Sequence, residues 1–230
     1  MIFRKGMSLI ELIIAIIVMG ISIMSLPLIL TTTQSNNQYS LILDNMISKA
    51  TAFLHLINTH SWDEKTVSSN DSETAFILKV DNGDVAFNPF PDNNSSLRKG
   101  HQISNKNRRK FSNDTASTIL GLDTNDSSGE NDIDDFHNVI RTFKAHTGVV
   151  DHQININSTI QVQYFTDTTN YNGSSLSFDL DPTHISNQST NIKMVTITSS
   201  PTDPTILPRV TFRLFRANIG GTVWNNRTSF

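Results

Sequence analysis

The sequence predicts an α+β chain, one long N-terminal helix laid along an antiparallel β-sheet head, and three patterns predict it. A charge-free apolar run of 19 residues extends from Leu12 to Leu30, the length of a membrane-crossing helix. Apolar residues then recur at spacings of three and four, at Leu43, Met46, Ile47, Ala50, Phe53, Leu54 and Ile57. Beyond them, short stretches of alternating apolar and polar residues stand between turn-forming clusters.

The first element is set by its charges. Arg4 and Lys5 precede the apolar run, and by the positive-inside rule they hold the N-terminus in the cytoplasm and send everything after Leu30 across the membrane. In a bacterium that places the head in the periplasm, on a single-pass anchor in the inner membrane. The run is longer than the roughly 7 to 15 apolar residues of a cleaved secretory signal and ends in Leu-Pro-Leu-Ile-Leu-Thr, so it reads as a retained anchor. Glu11 breaks the pattern, since an ionised side chain at the centre of a span costs roughly 2.5 to 3.5 kcal/mol. It is either a boundary carboxylate that snorkels to the interface or the partner of a cation at the same depth. Gly20, Ser22, Ser25 and Pro27 are small or helix-weakening residues that let neighbouring helices approach or the helix melt locally.

The segment Arg4-Lys5-Gly6-Met7-Ser8-Leu9-Ile10-Glu11-Leu12 resembles the cleavage and methylation segment of type IV prepilins and of type II secretion pseudopilins. The likeness covers about the first 30 residues. It implies a cut by prepilin peptidase between Gly6 and Met7, with Met7 standing where the family usually has Phe, and methylation of the new amine. It also implies that Glu11 pairs with the methylated amine of a neighbouring subunit and sets the axial register of a filament. The chemistry is sound, because an α-amino group with a pKa near 7.7 to 8 stays protonated at neutral pH, methylated or not. Pairing it with Glu11 neutralises two charges that would each oppose burial. Family subunits without this glutamate tend to sit at the filament tip, so Glu11 argues for a place below another subunit.

The layout so implied is pilin-like: a cleaved leader at 1–6, a transmembrane and filament-core helix at 7–30, its amphipathic second half at 31–62, and a β-rich periplasmic head at 63–230. The implied partners are prepilin peptidase, other pilin or pseudopilin subunits, the inner-membrane assembly platform and the membrane itself. The implied function is that of a minor pilin or pseudopilin subunit in a type IV pilus or a type II secretion pseudopilus. The alternative is a non-polymerising, membrane-anchored periplasmic binding or adhesion protein, a DNA-binding one included.

Met7 to about Asn58 would make an unbroken rod of roughly 78 Å. Trp62-Asp63-Glu64 reads as its exit, with Trp62 either a core plug or a ligand platform. Ala75 to Val80 and Val85 to Phe87 flank Asp81-Asn82-Gly83-Asp84, whose Asn-Gly favours a type I′ hairpin turn. Further strands are expected at Ile160 to Phe165, Ile192 to Thr198 and Val210 to Phe215, joined by loops rather than crossover helices, about four to six strands in all.

Between about 89 and 131 the composition turns polar, an insert with little core of its own. Its basic residues Arg98, Lys99, Lys106, Arg108, Arg109 and Lys110 could meet nucleic-acid phosphates or form a solvated loop. Only Phe111 interleaves as an aromatic, so the stacking signature is missing and nucleic acid is not an expected partner. Asp123, Asn125, Ser127, Asn131, Asp132, Asp134 and Asp135 follow within 13 residues, all short oxygen-bearing side chains of the kind calcium takes. They fit either an irregular calcium site, with Asp123, Asn125, Asp132 and Asp134 as its ligands, or an acidic turn. They do not fit an EF-hand, because Ser128 stands where the turn glycine would be and no glutamate closes the loop. Asp132-Ile133-Asp134-Asp135-Phe136-His137 also resembles a segment of minor pilins of the mannose-sensitive haemagglutinin type. Asp92 to Ser96 and Asp123 to Ser127 match the extended bacterial N-glycosylation sequon, a match that so much Asn and Ser produces by chance.

Composition narrows the function classes further. Charged residues are only 17% and hydrophobic residues 37%, a balance unlike that of a compact cytosolic enzyme. A formal charge of -3 gives no overall electrostatic footprint for nucleic acid. The absence of cysteine removes disulfides, thiolate catalysis and Cys-ligated metals. Seven scattered histidines, no His-Glu-x-x-His, no Gly-x-Ser-x-Gly and no glycine-rich phosphate loop leave enzyme readings without residues to carry them.

Overall fold

The computed structural model describes residues 8–68, 71–82, 110–123, 129–148, 153–166, 180–204 and 208–220. One helix, α1 (Leu9–Thr59), runs 51 residues, about 76 Å. It continues through Pro27, whose ring removes one backbone hydrogen bond without ending the helix. Hydroxyls in this stretch bond back to their own helix: Ser22 Oγ donates to the Val18 carbonyl at 2.8 Å and Thr32 Oγ1 to that of Leu28 at 3.0 Å. Each is thereby satisfied without water, as a helix in an apolar medium requires.

After α1 come a 3-10 turn at Glu64–Thr66, β1 (Val67–Ser68), β2 (Asp71–Lys79) and β3 (Lys110–Thr115). A second 3-10 turn at Asp134–Phe136 leads to β4 (Ile140–His146), β5 (Gln153–Phe165), β6 (Ile185–Ser186), β7 (Ile192–Pro201) and β8 (Val210–Ala217). The main sheet has five strands in the order β4-β5-β7-β8, with β6 pairing the end of β5, and every pair in it is antiparallel. The chain is thus α+β, a long helix packed on an antiparallel sheet.

The expected strands at 160–165, 192–198 and 210–215 are the centres of β5, β7 and β8. Alternation on β5 buries Ile156, Ile160 and Val162, and on β7 it buries Val195 and Ile197, so one face of the sheet is apolar. On that face lie Ala50 and Ile57 of α1, with Ile133 and Phe136 closing the side. Ile42 and Met46 pack one level further along, against Ala145 and Ile156. The buried stripe of α1 is therefore Ile42, Met46, Ala50 and Ile57, with Phe53 and Leu54 half-buried. Ile47, expected on the stripe, is exposed, because the row at intervals of four that faces the sheet begins at Ile42 and not at Leu43.

A smaller sheet, β1-β2-β3, differs from expectation in its direction: β2 and β3 are parallel, with Phe76 opposite Lys110 and Ile77 opposite Phe111. Parallel neighbours need a connection of a dozen or more residues, which 80–109 supplies. The second arm of the expected hairpin, 85–87, lies outside the described residues. Asn218 joins the two sheets: its Nδ2 donates to the Leu78 carbonyl at 2.8 Å and its Oδ1 accepts from the Leu78 amide at 3.1 Å. Gly148 sits at φ +79 in the β4–β5 connection, a left-handed backbone conformation that favours glycine, and lies against the Leu41 side chain of the helix.

Candidate functional site

The front of α1 touches no other part of the described chain: every residue from Ser8 to Asn37 is exposed, including Leu9 at 76% and Met24 at 84%. By length and composition this helix is able to cross a membrane. Glu11 lies in the first turn with its side chain exposed, near the positive end of the helix dipole. Gly6 and Met7 lie outside the described residues. A Cβ added at Gly20 would meet nothing within 4 Å, so no contact within the chain demands glycine there.

At its other end the helix is clamped. The last turn of α1 holds no basic residue to meet its unpaired carbonyls. The sheet provides the cations instead. Tyr164 of β5, Lys193 of β7 and Arg216 of β8 stand in one cross-strand row. Arg216 reaches from it to the Asn58 carbonyl, the Asn58 side chain and the His60 carbonyl. Lys193 Nζ donates to the Trp62 carbonyl at 2.6 Å and to Asp134 Oδ1 at 2.6 Å, and lies 3.6 Å from Asp63 Oδ2. Its ammonium is 4.3 Å from the centroid of the Trp62 ring and 5.5 Å from that of Tyr164, and the whole side chain is 0% exposed. Trp62 is a core plug whose Nε1 donates to the Arg216 carbonyl at 3.1 Å.

The acids around this cation have separate tasks. Asp63 caps the turn that follows α1, accepting from the Lys65 amide at 3.1 Å and from the Ser117 amide at 2.8 Å. Asp132 Oδ1 accepts from the Asp134 and Asp135 amides, while Asp135 Oδ2 accepts from those of Asn131 and Asp132. This is the reciprocal arrangement of a capping box, built from two aspartates. Asp134 faces Lys193. Burial, reinforced by the charge of Asp134 and a hydrogen bond to it, pushes the Asp132 carboxyl up to about 8. Burial also raises Asp134, against the opposing pull of Lys193. Tyr164, its hydroxyl donating to the Ser117 carbonyl, is raised by burial and then by Asp134.

Of the four residues expected around calcium, Asp132 and Asp134 come together, Asp123 is half-buried at the end of another described segment, and Asn125 lies outside the described residues. In this pair Asp134 Oδ1 faces the Lys193 ammonium and Asp132 Oδ1 accepts from two backbone amides. Among the described residues no group of three or more His, Asp or Glu is placed to hold a metal ion. Arg98, Lys99, Lys106, Arg108 and Arg109 of the basic cluster, and both sequon matches in whole or in part, lie outside the described residues.

Comparison with protein-family models, with curated proteins and with solved structures finds no match. The geometry itself therefore carries the functional argument. What the sequence pattern passed over is Lys193 and Arg216. The available signal was phase: Lys193 lies in step with Val195 and Ile197 on the core face of β7, a position where a charge implies a buried partner.

Proposed function

We propose that the chain is a minor pilin or pseudopilin subunit, processed by prepilin peptidase at Gly6-Met7 and assembled through the front of α1 into a type IV pilus or a type II secretion pseudopilus. The observation that carries this reading is the division of one helix into a fully exposed apolar front and a rear fixed to a sheet. An isolated helix with some 30 uncovered residues needs lipid in one state and neighbouring helices in another. A plain anchor needs only the lipid. The prepilin-like segment around Gly6 and Glu11 and the open space beside Gly20 support the second state. In this reading Glu11 accepts the methylated amine of the adjoining subunit, the head faces the periplasm, and no catalysis is assigned to it.

Glu11→Val tests the assembly role. The substitution leaves a neighbour's cation in an apolar core without its partner, at a cost on the order of 3 to 5 kcal/mol. Insertion and leader cleavage should persist, since the Gly6 junction is intact and valine makes the span more apolar. Site-specific cross-linking to filament neighbours should fall sharply while mature protein, starting at Met7 by mass spectrometry, still accumulates. Undiminished cross-linking would reduce Glu11 to a boundary carboxylate, and an intact Met1 would remove the prepilin reading altogether.

A further inference from the structure

We infer that Lys193 and Asp134 become joined by an intramolecular isopeptide bond, which locks the central strand β7 to the acidic turn beside the end of α1. The inference is independent of the filament reading, because every group in it belongs to the head or the helix exit. Lys193 Nζ is in contact with Asp134 Oδ1 at 2.6 Å, one covalent bond removed from the carboxyl carbon it would attack. Both residues are held there by their frames. Lys193 is fixed by strand pairing to Tyr164 and Arg216, and Asp134 by the capping box of Asp132 and Asp135. A nucleophile and an electrophile so positioned react at a high effective molarity.

The surroundings favour condensation over a persistent ion pair. Lys193 is 0% exposed, and the rings of Trp62 and Tyr164 lie beside its ammonium. In a site this dry, water to reverse the reaction is excluded. Asp132 hydrogen-bonds to the Asp134 carboxyl, which places it to act as the acid. Asp63, 3.6 Å from Nζ, stands as the base.

The atoms balance without any co-reactant. A proton passes from the ammonium to the Asp134 carboxylate, and the freed Nζ lone pair attacks Cγ. Asp63 takes a second proton from the nitrogen while Asp132 gives its own to the departing oxygen. One Nζ–Cγ bond forms, one Cγ–O bond breaks, and one water leaves. A single proton remains between the two acids, as before, and nothing is oxidised or reduced. The amide N–H that survives keeps an acceptor already in place, the Trp62 carbonyl at 2.6 Å.

The experiment is a tryptic digest of the denatured full-length protein, read by tandem mass spectrometry. The expected product is a branched peptide joining the segments that contain Asp134 and Lys193, lighter than their sum by one water, with no cleavage after Lys193. Asp132→Asn keeps the oxygen that caps the turn but has no proton to give, and the branched peptide should form at least about 100-fold more slowly in it. A linear wild-type peptide cleaved at Lys193 in full yield would overturn the proposal and leave a buried ion pair. Equal branching rates in the two proteins would overturn the role given to Asp132.

Discussion

Two methionines on the same helix, Met24 and Met46, show how differently its halves are stabilised. Met24 is 84% exposed and Met46 is 0% exposed. Around Met24 the chain offers only helical hydrogen bonds and its own back-bonded hydroxyls. Around Met46 lie Ile42, Ala145 and Ile156, and beyond it Arg216 holds the Asn58 carbonyl of the last turn while Lys193 holds the Trp62 carbonyl of the exit. One helix thus serves two environments: the rear is part of a folded head, and the front waits for an environment the chain does not supply. A head that holds its helix by the C-terminal end leaves the apolar length free of contacts with the rest of the described chain.

The clamp is where that comparison breaks most readily. Lys193→Met removes the Nζ that Asp63 and Asp134 share while leaving both acids buried, and it should destabilise the head by at least about 3 to 5 kcal/mol. Denaturant unfolding of the full chain in detergent, followed by near-ultraviolet circular dichroism, measures this. A loss below about 1 kcal/mol would show that the acids relax to water and that the clamp is ornamental. Adding Asp134→Leu to Lys193→Met should recover part of the loss, since one uncompensated carboxyl is then gone.

The two methionines give the next test. Met46→Ala should cost about 2 to 5 kcal/mol through lost contacts and a residual cavity. Met24→Ala should leave head stability unchanged to within about 0.5 kcal/mol. Equal costs would mean that the front of α1 folds back onto the head and that its exposure is not a property of the isolated subunit.

How much of this the sequence made legible depends on which physical signal each element carries. β5, β7 and β8 were readable because one face is buried and the other is not, which imposes a period of two. β4 was not, because as an edge strand it buries only Ala145 in full and Ile140 stays exposed. β3 reads Lys-Phe-Ser-Asn-Asp-Thr, a polar run within the insert, and owes its strand to a parallel partner far back in the chain. The acids at 132, 134 and 135 were found as a cluster, read as either an irregular calcium site or an acidic turn, while the ammonium that Asp134 faces was not foreseen. Oxygen-rich loops look alike whether they face a metal or an ammonium, and the ammonium comes from β7, some 60 residues onward.

The pH dependence of the clamp follows from Asp132, which faces Asp134, Lys193 and Asp135. Its carboxyl is pushed up to about 8 in the folded protein against about 3.9 unfolded, so the folded state keeps a proton that the unfolded chain releases. That contribution is whole below the unfolded value and is lost as pH rises through the folded one. Stability should therefore fall between about pH 4 and about pH 8, by up to about 1.4 kcal/mol per pH unit. Asp132→Asn, which has no proton to lose, should flatten the profile of melting temperature over that range. A wild-type profile already flat from about pH 5 to about pH 8 would show that the two backbone amides on Oδ1 hold Asp132 ionised.

The smallest effect belongs to the front of the helix. Gly20→Ala meets open space, so nothing within the subunit resists it. Alanine at an interior helix position gains up to about 1 kcal/mol over glycine, and amide exchange around residue 20 in detergent should slow accordingly. Head stability should not change, because α1 transmits nothing from Gly20 to the stripe that begins at Ile42. If the front remains in lipid alone, that small gain is the whole consequence. If it packs against neighbouring subunits, an added methyl where backbones approach closely should weaken cross-linking between them even as the isolated helix becomes firmer. Opposite signs in the two measurements would separate a filament interface from an anchor. The same sign in both would assign Gly20 to neither.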